Sequence, residues 1–517
     1  MNKAGGWLIL VMLLMVTLAS PVTAKADYPL EYSAEFLTNV GGGDFAPYYF
    51  IANNHGIVTQ ANSALVRGTI SHEMQREGVF SYGFCADIIG GWQSSTTYQY
   101  YDANSEGFST HQLSPSSAWI QQLYAEARYR ALFLTIGMKQ HDSALLNQQL
   151  SSGDMTYSGN SRPSPEVRAG FIDFQDIPFT DGWVQIQGEI TFSKTQDADW
   201  MESHYNYYNS FINTNYWTNY KRIYFRTKPE KALSLTIGMQ ASAMFGGDYR
   251  SYTEGVLTNS ASFDLTFSDF IASIFPVQGL GNSMIGTDTF YEGNHLGSWD
   301  IVWRYRFKNN STIRAYLQTP WEDGSGIGKL NGFDGLWGLE YTHHSDWYIN
   351  GVVLEYLDLT NQSGAIHWAP NDHPDSPIDG EATGSDDYYN NYMYNGYCYY
   401  GNTVGTPMIK STLYNTDGYQ RITDNRVRAF HVGINGTILP NQLAYRVLAS
   451  HRISYGTPFL PQIDIQYNTS VMVEGIYTPK QLPALAVTAK FGLDSGNMLG
   501  NNVGAMLSVA YSGGFKL

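Results

Sequence analysis

The last fifteen residues, VGAMLSVAYSGGFKL, constrain what this chain can fold into more than any other stretch. Val503, Ala505, Leu507, Val509, Tyr511, Gly513, Phe515 and Leu517 are all apolar or Gly, and the residues between them are small or polar apart from Met506. Side chains of a strand alternate between faces, so this is a ribbon with one greasy and one wettable side. About nine to eleven residues of that period cross a bilayer as a barrel strand. A single such strand also fits the edge of a soluble sandwich, so recurrence upstream decides the matter.

The pattern recurs in eight pairs of alternating stretches, each joined by a short turn. In chain order they are 63–72 with 79–89, 118–127 with 131–140, 167–177 with 183–193, and 220–227 with 232–240. The rest are 299–307 with 312–319, 335–342 with 347–357, 427–435 with 443–453, and 469–477 with 485–493. Asn, Gly, Pro and Asp at the corners are hairpin chemistry. Sixteen strands, the closing strand and one more from 31–40 predict an all-β transmembrane barrel of about 18 antiparallel strands. The intervals left over are mostly long, notably 241–298 and 358–426, and they all fall on one side. Short turns on one side and long surface loops on the other is the outer-membrane asymmetry. Within the first long loop, Phe263, Phe267, Phe270, Ile271 and Ile274 predict a short helix, with Ser262 as N-cap and Pro276 as stop.

Residues 1–26 read as a secretory leader: Lys3, an apolar run from Trp7 to Leu18, and a cut after Ala24 or Ala26. Residues 27–517 then form a single barrel domain. Charged residues are only 15% of the chain while Tyr reaches 39 copies, which suits a lipid-facing band with aromatic girdles. The net charge of −16 excludes a nucleic-acid partner, which needs a basic footprint. Two cysteines, Cys85 and Cys398, make no disulfide scaffold and are expected as free thiols.

No catalytic motif emerges. His431 and Ser450 could both face the lumen of one hairpin, but lumen-facing polar residues are the default in a barrel. His343, His344 and Asp346 belong to a tight turn and are expected to be solvated. Asp372, Asp375, Asp379, Glu381, Asp386 and Asp387 crowd one stretch without the spacing of an ordered calcium loop, so a divalent cation there is only an option and no other cofactor is expected. Next to them, residues 388–400 hold seven tyrosines in thirteen positions. Tyr388, Tyr389, Tyr392, Tyr394 and Tyr397 are the candidates for stacking on sugar rings, since loop tyrosines offer flat apolar faces and a hydroxyl. The other reading is a loop packed on itself or on the barrel rim.

Several segments resemble the Wzi-type capsule assembly family: GWVQIQGE from Gly182, IYFRTKP from Ile223 followed by LSLTIGM, NHLGSWD from Asn294, and GNTVGTPMI from Gly401. The resemblance implies a monomeric eighteen-stranded barrel in the outer membrane of a diderm bacterium, acting as a lectin that holds capsular polysaccharide at the surface. The expected function is therefore non-catalytic binding of capsular or other surface polysaccharide, for capsule assembly or attachment, by a protein seated in outer-membrane lipid. The alternatives are a diffusion porin or transporter and, less favoured, a barrel-embedded hydrolase.

Overall fold

The computed structural model describes residues 30–515 apart from 77, 276–292, 323, 328–331, 333 and 369–381. The leader and most of the acidic stretch, from Asp372 to Glu381, lie outside the described residues. The alternating stretches pair each with the next into one antiparallel wall. Its strands are β1 (Leu30–Gly42), β2 (Ser63–His72), β3 (Phe80–Gln93), β4 (Ala118–Tyr129), β5 (Leu132–Met138) and β6 (Pro165–Phe171). They continue as β7 (Val184–Lys194), β8 (Trp217–Thr227), β9 (Leu233–Phe245), β10 (Asn294–Arg306), β11 (Thr312–Trp321) and β12 (Gly335–Thr342). The last six are β13 (Gly351–Asp358), β14 (Val427–Leu439), β15 (Leu443–Gly456), β16 (Pro461–Tyr477), β17 (Leu485–Gly496) and β18 (Val503–Phe515). Gln175–Asp176 pairs with β7 as β6 does and prolongs it, so the 19 segments of the sheet occupy eighteen places.

β18 pairs with β1 from Leu30 opposite Phe515 to Gly42 opposite Val503, which closes the wall. Closure satisfies every strand edge, and hydrocarbon enforces it because an unpaired backbone group there costs several kcal/mol. Among the described residues no helix is long and apolar enough to cross a membrane. The protein is an outer-membrane β-barrel and belongs in a bacterial outer membrane. All eight hairpins read from the sequence lie in this wall, as do the first and last strands.

Facing follows the alternation. On β18, Val503 and Leu507 point outward, while Met506 and Ser508 are buried on the inner side. Trp303, Tyr305 and Phe307 look outward, and Asp300 looks in. Inward charges are paired across the wall: Arg67 with Asp87 at 2.6 Å, Arg168 and Arg222 with Glu189 at 2.8 and 3.0 Å, and Arg446 with Glu474 at 2.6 Å. Cys85 and Cys398 are free thiols, one on the wall and one inside.

The structure departs from the sequence reading in three places. The loop set at 241–298 is shorter, because β9 runs on to Phe245 and β10 already starts at Asn294, with Met244 opposite Asn294. Alternation fails over 241–245 because both faces are covered. The cover is the short helix, which spans Phe267–Ala272 and puts the Phe270 ring 5.2 Å from that of Phe245 and 5.1 Å from that of Trp217. Its N-cap is Thr266, locked reciprocally with Asp269, and not Ser262, because the capping box needs the acid three residues on. Pro276 lies outside the described residues.

The third departure is the largest. Segments 43–62, 141–164 and 384–426 are not surface loops but turn into the lumen and pack there on one another. Phe45, Phe50, Ile51, Leu150, Met155, Tyr394, Met408 and Ile422 form one buried apolar cluster, so the barrel carries its core inside. Polar contacts bind this plug to the wall. Tyr48 donates its amide to Asp494 at 2.8 Å, Ser152 its amide to Glu355 at 2.7 Å, and Met155 its amide to Gln318 at 3.0 Å.

Candidate functional site

The tyrosine tract is where sequence and structure diverge in detail. Tyr388, Tyr389, Tyr394 and Tyr397 are no more than 3% exposed, and Tyr392 alone, at 48%, shows its ring to solvent. Their polar ends serve the plug: Tyr389 donates its hydroxyl to Met155 O at 2.8 Å, and Tyr397 donates its amide to Tyr389 O at 2.8 Å. Asp387, beside them, accepts from Asn425 at 2.8 Å and pairs with Arg421 at 3.3 Å. It is occupied within the plug. Asp386 accepts from the Ser363 hydroxyl.

The tract ends differently. Cys398–Tyr399 and Asn402–Thr403 form a minute hairpin whose two turn residues, Tyr400 and Gly401, have φ of +47° and +76°. Two left-handed residues in succession are the primed hairpin turn, which reverses the chain in two positions. Tyr399 therefore stays buried, while Tyr400 is half-buried. Gly401 is required there, since a Cβ would meet Trp200 Cζ2 at 2.4 Å.

Trp200 comes from the helix Ala198–His204, in the long connection between β7 and β8. Residues four apart share a helix face, so Trp200 and His204 stack with ring centroids 4.0 Å apart and planes 15° apart. Burial pulls His204 down to about 4, leaving it neutral, and it accepts the edge of Tyr98 at 4.7 Å. Asp197, at the head of the helix, accepts the Tyr400 amide at 3.1 Å, and burial pushes its carboxyl up to about 6. The hairpin 96–113 closes the third side. Its Gln99 donates its amide to Thr416 O at 2.8 Å, and Tyr98 donates its hydroxyl to Leu413 O at 2.8 Å.

Between these elements lies a cleft of about 250 Å³ that opens on the long-loop side. Trp200 and Tyr400 give it aromatic faces, Gln196, Asp199 and Asn402 give it polar groups, and Arg162 lies at its base. Such a mixture binds a sugar ring by stacking on its apolar face and bonding its hydroxyls. The sequence pointed to the loop 358–426 that supplies Tyr400 and Asn402, but not to Trp200 or Arg162. Trp200 and Tyr400 lie 200 positions apart in the chain, and the one local signal is the spacing of Trp200 and His204 on one helix face.

The His431–Ser450 pair gives the hydrolase option no free base. His431 and Ser450 are register neighbours facing the lumen, but the two nitrogens of His431 are engaged by the Tyr49 hydroxyl at 2.9 Å and Leu150 O at 2.7 Å. His343, His344 and Asp346 sit in the turn between β12 and β13, with His344 and Asp346 exposed.

No protein-family model and no curated protein matches this sequence. Among solved structures the barrel is similar to Wzi, described as an outer membrane protein involved in group 1 capsule assembly in Escherichia coli and as a carbohydrate-binding β-barrel. The TM-score is 0.54 at 12% identity, with 100% of this chain and 90% of that chain covered. OccAB2 of Acinetobacter baumannii follows with a TM-score of 0.48 at 10% identity, covering 95% of this chain and 98% of that one. At these identities the likeness is one of fold.

Proposed function

We propose that this barrel is a non-catalytic, lectin-like protein that holds a surface polysaccharide, as in capsule assembly or attachment, through the cleft of Trp200 and Tyr400. The observation that carries the reading is the pairing of an occupied lumen with a preformed aromatic cleft on the extracellular side. A diffusion porin needs an open aqueous path, and the packing of three inward segments into one buried cluster among the described residues weighs against it. A lectin needs a rigid, wet, aromatic recess, and the cleft walls are tied together by hydrogen bonds from all three sides. The carbohydrate binding stated for Wzi and the resemblance of the quoted segments point the same way. The protein acts as a monomer in outer-membrane lipid, and affinity comes from many repeats of one chain engaging weak subsites.

The test uses the full-length protein in detergent micelles and surface polysaccharide isolated from the producing strain. Trp200→Ala and Tyr400→Ala should each weaken binding by about tenfold, the loss of one aromatic face. Heat-modifiable gel mobility should show the barrel intact in both. Cells carrying either substitution should release polysaccharide into the medium while still making it. Large single-channel conductance from a protein that binds no polysaccharide would establish the porin alternative instead.

A further inference from the structure

The arginines that look into the barrel are nearly all matched by a carboxylate or by backbone carbonyls: Arg67, Arg168, Arg222, Arg314 and Arg446 each sit on an Asp or Glu. Arg162 sits on neither, and unlike Arg452, which is sealed in the core and donates to the Ser470 hydroxyl at 2.6 Å, it lines the outer cleft. The Arg162 guanidinium carbon lies 4.5 Å from the Trp119 ring centroid and 4.8 Å from that of Tyr400, so two rings lie against the group. Nε donates to Gly56 O at 3.3 Å, and among the described residues no carboxylate lies within ion-pair reach and no acceptor serves its two terminal nitrogens. Gly56 makes room for this arrangement, because a Cβ there would meet Arg162 Cγ at 2.8 Å.

A cation drawn partly out of water without a partner is costly, and a guanidinium with rings against it can still bond along its edge. That edge is a planar fork of N–H donors, which matches the two oxygens of one carboxylate. Arg162 lines the base of the outer cleft and also the narrow hydroxyl-lined gap that continues inward past Tyr399. A second unmet group points to the same place: Asn402, 1% exposed and lining the cleft, leaves its Oδ1 without a donor among the described residues. Asp199 stands at the exposed rim, so the cleft is acidic outside and basic at its base.

Resting on the reading of the cleft as a polysaccharide site, we propose that its ligand is an acidic polysaccharide, and that Arg162 recognises the carboxylate of a uronic acid residue while Trp200 and Tyr400 hold the ring. The loop 358–426 has little basic charge of its own, and the missing cation arrives from the connection between β5 and β6. The bond is a charge-assisted pair with two parallel N–H···O contacts, so the acid form should bind on the order of tenfold or more above its neutral counterpart.

The experiment compares polysaccharide from the producing strain with the same material after chemical reduction of its carboxyl groups to alcohols. Both are titrated against the full-length protein in micelles. The wild type should prefer the native chain by tenfold or more, with the preference shrinking as salt is raised. Arg162→Gln should abolish the preference, so that native and reduced chains bind alike. Arg162→Lys, which keeps the charge but not the fork, should restore only part of it. Gel mobility checks that each variant is folded. Equal binding of native and reduced chains by the wild type would overturn the carboxylate assignment and leave the cleft standing. So would a preference that survives Arg162→Gln, or a polysaccharide that contains no carboxyl sugar. Failure of both chains to bind would remove the cleft reading and this inference together.

Discussion

In β18 neighbouring residues meet opposite surroundings by rule, whereas in the tract 388–400 they do so without one. Leu507 faces outward and Ser508 inward because the chain is extended and its side chains alternate. Tyr392 is open while Tyr394 is sealed in the core, and Tyr399 is buried while Tyr400 shapes the cleft, yet all four are the same residue type. The wall is governed by a period and its solvent is lipid. The plug has no period, and each ring's fate depends on what three distant segments bring against it. A membrane-facing ribbon can therefore be read one strand at a time, but a luminal plug can be read only as an assembly.

The sharpest way to break that comparison is within the tract. Tyr389→Ala removes a buried ring and its bond to Met155 O, and should cost about 3–5 kcal/mol as a large-to-small core change. Tyr392→Ala, at an open position, should fall within about 0.5 kcal/mol. Denaturant titration of the refolded barrel, followed by tyrosine and tryptophan fluorescence, separates the two. Equal small effects would mean that the tract packs loosely after all.

On the wall the matched pair is Val509→Arg and Ser508→Arg. The first places a charge toward lipid near mid-strand and should cost roughly 2–4 kcal/mol. The second points into a polar recess of about 150 Å³ lined by Glu35, Arg67, Glu474 and Lys490, away from lipid, and should be better tolerated. The folded fraction on unheated gels reads both, and equal damage would refute the facing of β18.

The smallest expected effect concerns the cleft. Asp197 titrates at about 6 in the folded protein because burial disfavours its charge, above the ordinary aspartate value of about 4. Between those values the folded state holds a proton that the unfolded state has lost, so stability falls as pH rises from about 4 to 6 and is flat above. The change is on the order of 1–3 kcal/mol at most and is confined to the helix Ala198–His204 and the Tyr400 turn. Hydrogen exchange of the Tyr400 amide across that range should show it. Asp197→Asn should flatten the profile, and a profile unchanged by that substitution would place the titration elsewhere.

By itself the sequence determined the wall: the number of strands, their order, their facing, and the side on which the long connections fall. Period two and turn chemistry are local properties, and closure in hydrocarbon leaves almost no freedom once they are set. Only the tertiary structure decided what the long connections do. Tyr388, Tyr389, Tyr394 and Tyr397 had the composition of a binding loop, and they became core because the lumen offers an apolar interior to whatever folds into it. The cleft was equally hidden, since Arg162, Trp200 and Tyr400 belong to three separate connections. No local pattern encodes their meeting, which depends on how three loops share the space above one plug.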